Sequence, residues 1–337
     1  MLKKLSVLVL LFTLLGSGSS LFAQRENSPE QGVYLYVIQQ VPLSFEKTVQ
    51  NLEQQIKISP FRLVGKLEIK SPEKCSYRSN VLVLYDSAYA KQLLEINRFT
   101  APFAMLNRIN VFEDEKGVQV AIVNPVSINR TVLMSDNGND KISKLQRERL
   151  RSLIKTAVPG ELSGKHYGEI RDRGYIGRTL GIMAGGSFND KIEVIKEMPG
   201  ADFMEVVKNV QAGMNGGNGK WGMHLVCSCV SEDEGIAILG TSGPELEAKS
   251  FEIVKAGSDH ERKDLKCPGL AHAAAYPIEV VIVKDKDNVK VEMLDMMYRM
   301  KMYFEDAGKW AFAKNMGMPG SVADDVKNQI ATLTVSK

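Results

Sequence analysis

The chain has 337 residues, 44% of them hydrophobic and 25% charged, with a formal net charge of +3. These proportions are those of globular domains, and the length suffices for two of ordinary size. A charge this close to neutrality argues against a nucleic-acid or anionic-membrane partner recruited by charge. Four cysteines in so long a chain exclude a scaffold that depends on disulfides in place of a core.

The first 23 residues are typical of a secretory signal peptide. Lys3 and Lys4 precede an apolar run over residues 5–15, and small residues lead to Ala23, after which we expect cleavage. The apolar run is shorter than the roughly 20 residues of a membrane span, so an uncleaved anchor is the weaker alternative. No later segment reaches 18 apolar residues, which predicts no stable membrane span after cleavage. We therefore expect a periplasmic or secreted bacterial protein of 314 residues, which is 337 less 23.

Residues 33–158 form the first of two similar α+β units. The pattern predicts a strand over residues 34–38, a helix that begins after Ser44, strands over residues 62–69 and 82–85, a short helix, and a hairpin that turns before Gly117. A closing helix is predicted over residues 142–158.

Residues 159–190 are predicted to be a glycine-rich linker, and residues 191–320 repeat the first unit. At a shift of 158 positions, a strand, a capped helix and a second short helix recur, with Asp202 and Glu205 as a capping box. The helix pairs are Phe45 with Phe203, Val49 with Val207, and Leu52 with Val210. Beyond them the shift becomes 171, which places a 13-residue insertion near residues 255–267. A second closing helix is predicted over residues 294–314.

Several segments carry a resemblance to a known family. In the first unit they are residues 82–85, 90–94, 101–102 and 109–117, and in the second they are residues 275–282 and 297–304. These segments resemble the domain-of-unknown-function family 302. The resemblance implies an α+β fold in two tandem copies, each a curved antiparallel sheet packed with helices and similar to a single TATA-binding-protein-like repeat.

The same resemblance implies no catalytic residues, because the family has no established shared activity. A Cys-Asn-Pro-like segment of some members is replaced here by Tyr85-Asp86-Ser87. A function tied to that segment is therefore not expected in this chain.

Soft ligands are concentrated in the second unit. The set Cys227, Cys229, Cys267, His272 and Met300 could hold copper or another soft metal ion, because thiolate, imidazole and thioether groups suit such ions. The methionines also recur at helical spacing, which favours a packing role for them.

The cysteines allow a second interpretation. Cys227 and Cys229 alternate on a predicted strand and face one side, where a bond between them is sterically awkward. We therefore expect a disulfide from Cys267 to Cys227 or Cys229, with Cys75 either unpaired or bridged to the remaining thiol.

The leading functional hypothesis is a non-enzymatic exported protein that binds a small ligand or an envelope partner, with a soft metal as one ligand. No standard catalytic motif occurs in the sequence. The alternative is a thiol-dependent redox protein or enzyme that uses the cysteines of the second unit.

Overall fold

The structure is a computed structural model that describes residues 32–134, 139–170, 173–179, 184–216, 219–256, 264–304, 311 and 313–331. The predicted signal peptide and most of the predicted insertion lie outside these residues. Within the described ranges no helix is both long enough and apolar enough to cross a membrane.

The first half of the chain, residues 32–158, alternates strands with helices. Its elements are β1 (Gly32–Val41), α1 (Phe45–Lys57), β2 (Arg62–Ile69), β3 (Ser79–Tyr85), α2 (Ser87–Ile96), the 3-10 helix η1 (Ala101–Ala104), β4 (Leu106–Asp114), β5 (Gly117–Val123), α3 (Pro125–Val132) and α4 (Asn139–Ala157). Helix α1 begins where it was predicted, because the Ser44 hydroxyl accepts a hydrogen bond from the Lys47 amide.

The second half, residues 191–331, follows three short strands and a 3-10 turn: β6 (His166–Ile170), β7 (Tyr175–Thr179), β8 (Ala184–Ser187) and η2 (Asn189–Lys191). Its elements are β9 (Ile192–Pro199), α5 (Phe203–Met214), β10 (His224–Ser231), β11 (Ile236–Ser242), α6 (Pro244–Ala256), the 3-10 helix η3 (Pro268–Ala275), β12 (Ile278–Asp285), β13 (Asn288–Leu294), α7 (Met296–Phe304) and α8 (Gly317–Ala331). Helix α5 begins as predicted, with the Asp202 carboxylate accepting from the Glu205 amide.

The fold is mixed α+β around one large antiparallel sheet. The strand order is β6-β1-β5-β4-β3-β2-β10-β11-β12-β13-β9. Read from its outer strand inward, the first half runs β1-β5-β4-β3-β2, and the second half runs β9-β13-β12-β11-β10. The halves meet where β2 lies beside β10, through the single register pair of Gly65 and Cys227. We call this junction the seam.

Each face of the first half's sheet packs on a different layer. Side chains such as Leu35, Leu82 and Ile122 pack on one face against helices α1 and α4. The other face belongs to a larger core that continues into the second half. There η3 crosses from the second half onto β3, β4 and β5, so the core spans both halves.

The described part of the predicted linker contains three short strands and a 3-10 turn. Strand β6 pairs with β1, and Tyr167 of β6 stacks on Tyr34 with ring centroids 4.9 Å apart. Beside β1 it covers what would otherwise be an exposed sheet edge. A five-residue strand in a glycine-rich run is too short to give a clear periodic signal. Helix α8 extends to Ala331, past residue 320, where the second unit was predicted to end.

Candidate functional site

The structure corrects the predicted disulfide. Cys267 is bonded to Cys75, with their Cα atoms 5.8 Å apart, and not to Cys227 or Cys229. The bond joins the loop between β2 and β3 in the first half to the start of η3 in the second half. Cys267 reaches that loop because η3 lies across the first half's sheet. Cys227 and Cys229 remain thiols that are buried at the seam.

Cys227 is confined between two glycines. A Cβ atom on Gly65 would lie 2.5 Å from the Cys227 Cβ, and one on Gly240 would lie 2.3 Å from the Cys227 sulfur. Burial raises the pKa of the Cys227 thiol to about 12, although the nearby Arg108 partly opposes this. A thiol held so far from ionisation is a poor nucleophile and a poor metal ligand, so a packing role fits it best.

Cys229 is two residues further along β10. Its sulfur accepts a hydrogen bond from Arg62 Nη2 at 3.2 Å, and the same guanidinium lies over the Tyr85 ring. Burial again raises the pKa of this thiol, against the opposing charge of Arg62. Because Arg62 and Tyr85 belong to the first half, Cys229 contributes to the contact between the halves.

The other two predicted metal ligands lie in apolar surroundings. His272 in η3 is buried, with its ring 5.3 Å from Tyr34 and 5.8 Å from Phe304 between centroids. Met300 lines a small apolar hollow with residues of α6 and α8. Cys267 is unavailable as a thiolate because it is in the disulfide. Among the described residues, no three His, Cys, Asp or Glu side chains are grouped to hold a metal ion.

A buried ion cluster joins the halves, and no sequence pattern predicted it. Glu279 of β12 forms an ion pair with Arg108 of β4, and it accepts a hydrogen bond from Arg299 Nε at 2.8 Å. Arg108 also donates to the Tyr303 hydroxyl at 3.0 Å, and Arg299 donates to the Pro277 carbonyl at 2.6 Å. Burial lowers the pKa of Arg299. Two cations share one carboxylate here, which points to a role in assembly of the core.

An open concave site lies beside the disulfide, and we call it the disulfide cleft. Its volume is about 390 Å³, within the range of small-molecule sites. One wall comes from the first half, and the opposite wall and floor come from α6 and η3 of the second half. The lining residues are 70–75, Glu245, Ala248, Phe251, Glu252, Lys255 and 266–270.

Cross-half hydrogen bonds hold the walls of the cleft. The Lys70 amide donates to the Glu247 carboxylate at 2.8 Å, and the Lys266 amide donates to Glu115 at 2.6 Å. Glu247 is almost fully buried, which raises its pKa against the hydrogen bonds from Ser242 and Lys70 that lower it. The floor is fixed by Asn110 of β4, whose amide donates to the Leu270 carbonyl at 2.9 Å.

Sequence reasoning did not find this cleft. Its residues come from three separate segments, and none of them carries a recognisable motif. The one available signal was Cys75, whose partner could have been any of the three other cysteines. The cleft follows from long-range packing of η3 on the first half, which no local pattern reveals.

Comparisons with known proteins give only a weak structural likeness. No family model matches the chain, and no curated protein matches it. Three chains of solved structures match. One is the crystal structure of an uncharacterized conserved protein DUF302 from Bacillus stearothermophilus, with 16% sequence identity and a TM-score of 0.32. The match covers 37% of this chain and 98% of that chain, and a likeness this weak assigns neither family nor function.

Proposed function

We propose that this protein is an exported, non-enzymatic binding protein whose ligand occupies the disulfide cleft. The observation that carries the proposal is the cleft itself, which has the volume of a small-molecule site and walls from both halves. The Cys75–Cys267 bond and the hydrogen bond from Lys70 to Glu247 hold those walls before any ligand arrives. A preformed site of this kind loses little conformational entropy on binding.

The two halves are proposed to be tandem copies of one unit, similar to a TATA-binding-protein-like repeat. Corresponding strands occupy the same places in the order of each half, and α1 and α5 follow the first strand of each with a side-chain cap. If the halves are tandem copies, the seam is the contact between the edge strands of two repeats. The cleft would then be a product of their divergence, since Cys267 lies in the predicted insertion of the second copy.

Export is supported by the N-terminal pattern and by the disulfide. Disulfides persist in oxidising compartments and are rare where thiols are kept reduced. The proposal predicts that protein recovered from a bacterial periplasm or culture medium begins at Gln24, by N-terminal sequencing and intact mass. Recovery of the uncleaved chain from the cytoplasm, with free Cys75 and Cys267, would contradict export.

A thermal-shift screen of small molecules tests the binding proposal. Ala248 lines the cleft on α6, so Ala248→Trp should fill it. Gln54→Trp on the exposed side of α1 is the matched control. Ligands of the cleft should raise the melting temperature of the wild type and of the Gln54 variant, but not of Ala248→Trp. If every stabilising compound acts equally on all three proteins, the cleft is not the site.

Buried thiols give the redox alternative little support. Cys227 and Cys229 are both buried and both have a raised thiol pKa, which is the opposite of what a reactive thiol needs. We expect that neither thiol reacts with a thiol reagent in the native protein, and that both react after denaturation. Rapid labelling of either one in the folded protein would favour the redox alternative.

A further inference from the structure

We propose that the disulfide cleft takes a small organic anion with an apolar body, whose charged group is held by Lys74, Lys255 and Lys266. The inference rests on the proposed function, because it names the class of ligand for the same site. It is carried by the charges of the walls together with the apolar floor.

The lysines of the cleft are not balanced by its glutamates. Lys70 is paired with Glu245 at 3.8 Å, and Glu252 is paired with Lys249, which lies outside the cleft, at 3.2 Å.

Among the described residues, the ammonium groups of Lys74, Lys255 and Lys266 form no ion pair. Of the three described carboxylates that line the cleft, Glu73 alone is likewise unpaired. The cleft is lined by four lysines and three glutamates, so its described walls carry an excess of one positive charge, and three of the four lysines are unpaired.

The three lysines come from both halves of the chain and line the same cleft. Lys74 belongs to the first-half loop next to Cys75, Lys255 lies near the end of α6, and Lys266 precedes Cys267. All three are exposed, so a ligand in the cleft can reach their ammonium groups. Like charges on the walls of one concave site reinforce their positive potential, which attracts an anion.

The apolar floor of the cleft sets a second condition that the ligand must meet. Phe251, Pro268 and Leu270 line it, and Gly269 permits η3 to approach α6, since a Cβ there would lie 2.6 Å from the Phe251 Cβ. A fully hydrated inorganic anion would gain nothing from these apolar side chains. A carboxylate or sulfonate joined to an apolar group satisfies both the lysines and the floor.

The test uses 8-anilinonaphthalene-1-sulfonate, an amphipathic anion whose fluorescence reports binding. The cleft variant is K74Q/K255Q/K266Q, and the control is K57Q/K141Q/K144Q, which removes the same charge at exposed lysines outside the cleft. We expect dye affinity to fall about tenfold or more in the cleft variant and less than about twofold in the control. Added salt should weaken binding to the wild type far more than to the cleft variant. Near-ultraviolet circular dichroism verifies native packing, because this dye also binds loosely packed states.

The Ala248→Trp variant separates failure of this inference from failure of the proposed function. If it loses dye binding while the cleft variant keeps wild-type affinity, the cleft binds an apolar ligand without regard to charge and the anion inference is overturned. If it binds the dye as the wild type does, the dye occupies another surface and the cleft is overturned as the binding site, together with the inference.

Discussion

Cys227 shows how a single residue is fixed by its surroundings at the seam. Its sulfur and Cβ occupy the space that side chains at Gly65 and Gly240 would need. The small, weakly polar thiol fills this space without a charge, which fits its raised pKa. The residue that looked like a metal ligand in the sequence is thus explained by close packing.

Gly240→Ala should therefore lower the free energy of unfolding by about 1–3 kcal/mol, because the new methyl group overlaps the Cys227 sulfur and the Pro277 ring. Urea denaturation measures the change. Gly320→Ala is the control, since a Cβ there meets open space in a helix, and it should be neutral or slightly stabilising. Equal stability of the Gly240 variant and the wild type would show that the seam is loosely packed.

The buried carboxyl of Glu247 should make the free energy of unfolding depend on pH. Its pKa in the folded protein is raised, so the folded state binds the proton more tightly than the unfolded state does. The carboxyl's contribution is therefore most favourable below its ordinary pKa, and it is lost as the pH rises through the folded value. Glu247→Gln should remove this loss. The stability of the variant relative to the wild type should rise between about pH 4.5 and neutrality. Exposed Glu95→Gln is the control, and a fall in relative stability with pH would contradict the assignment.

At the scale of elements, local patterns predicted the starts of α1 and α5 because a cap and an apolar helical face are adjacent in sequence. Strand β2 was predicted over the residues that form it, because a run of strand-like residues is also a local signal. Strand β6, the Cys75–Cys267 bond and the disulfide cleft were not predicted. Each depends on a partner from a distant part of the chain, and such partners leave no periodic signal.

The disulfide connects two elements that are 192 residues apart in sequence. Closing so long a loop restricts the unfolded chain, so C75S/C267S should lower the free energy of unfolding by about 2–4 kcal/mol. Thermal denaturation with and without a dithiol reductant measures this. Reductant should bring the wild type close to the double variant and leave the double variant unchanged. A wild type unaffected by complete reduction would contradict a structural role for the bond.

For the whole molecule, the ion cluster of Arg108, Glu279 and Arg299 lies where the cores of the two halves meet. Glu279→Gln leaves two buried guanidinium groups without a counter-charge and should cost about 3–5 kcal/mol of stability. The control is Glu53→Gln, which breaks the exposed pair with Lys66 and should cost about 1 kcal/mol or less. Similar losses in the two variants would mean that water reaches the cluster.

Ligand binding in the disulfide cleft can be located by hydrogen–deuterium exchange with and without the naphthalene sulfonate dye. We expect added protection in three segments of the folded chain, residues 70–75, 245–255 and 266–270, and little change in α1 or α4. The same protection should be absent in Ala248→Trp. Protection confined to other segments, or unchanged by that substitution, would show that ligands do not bind in the cleft.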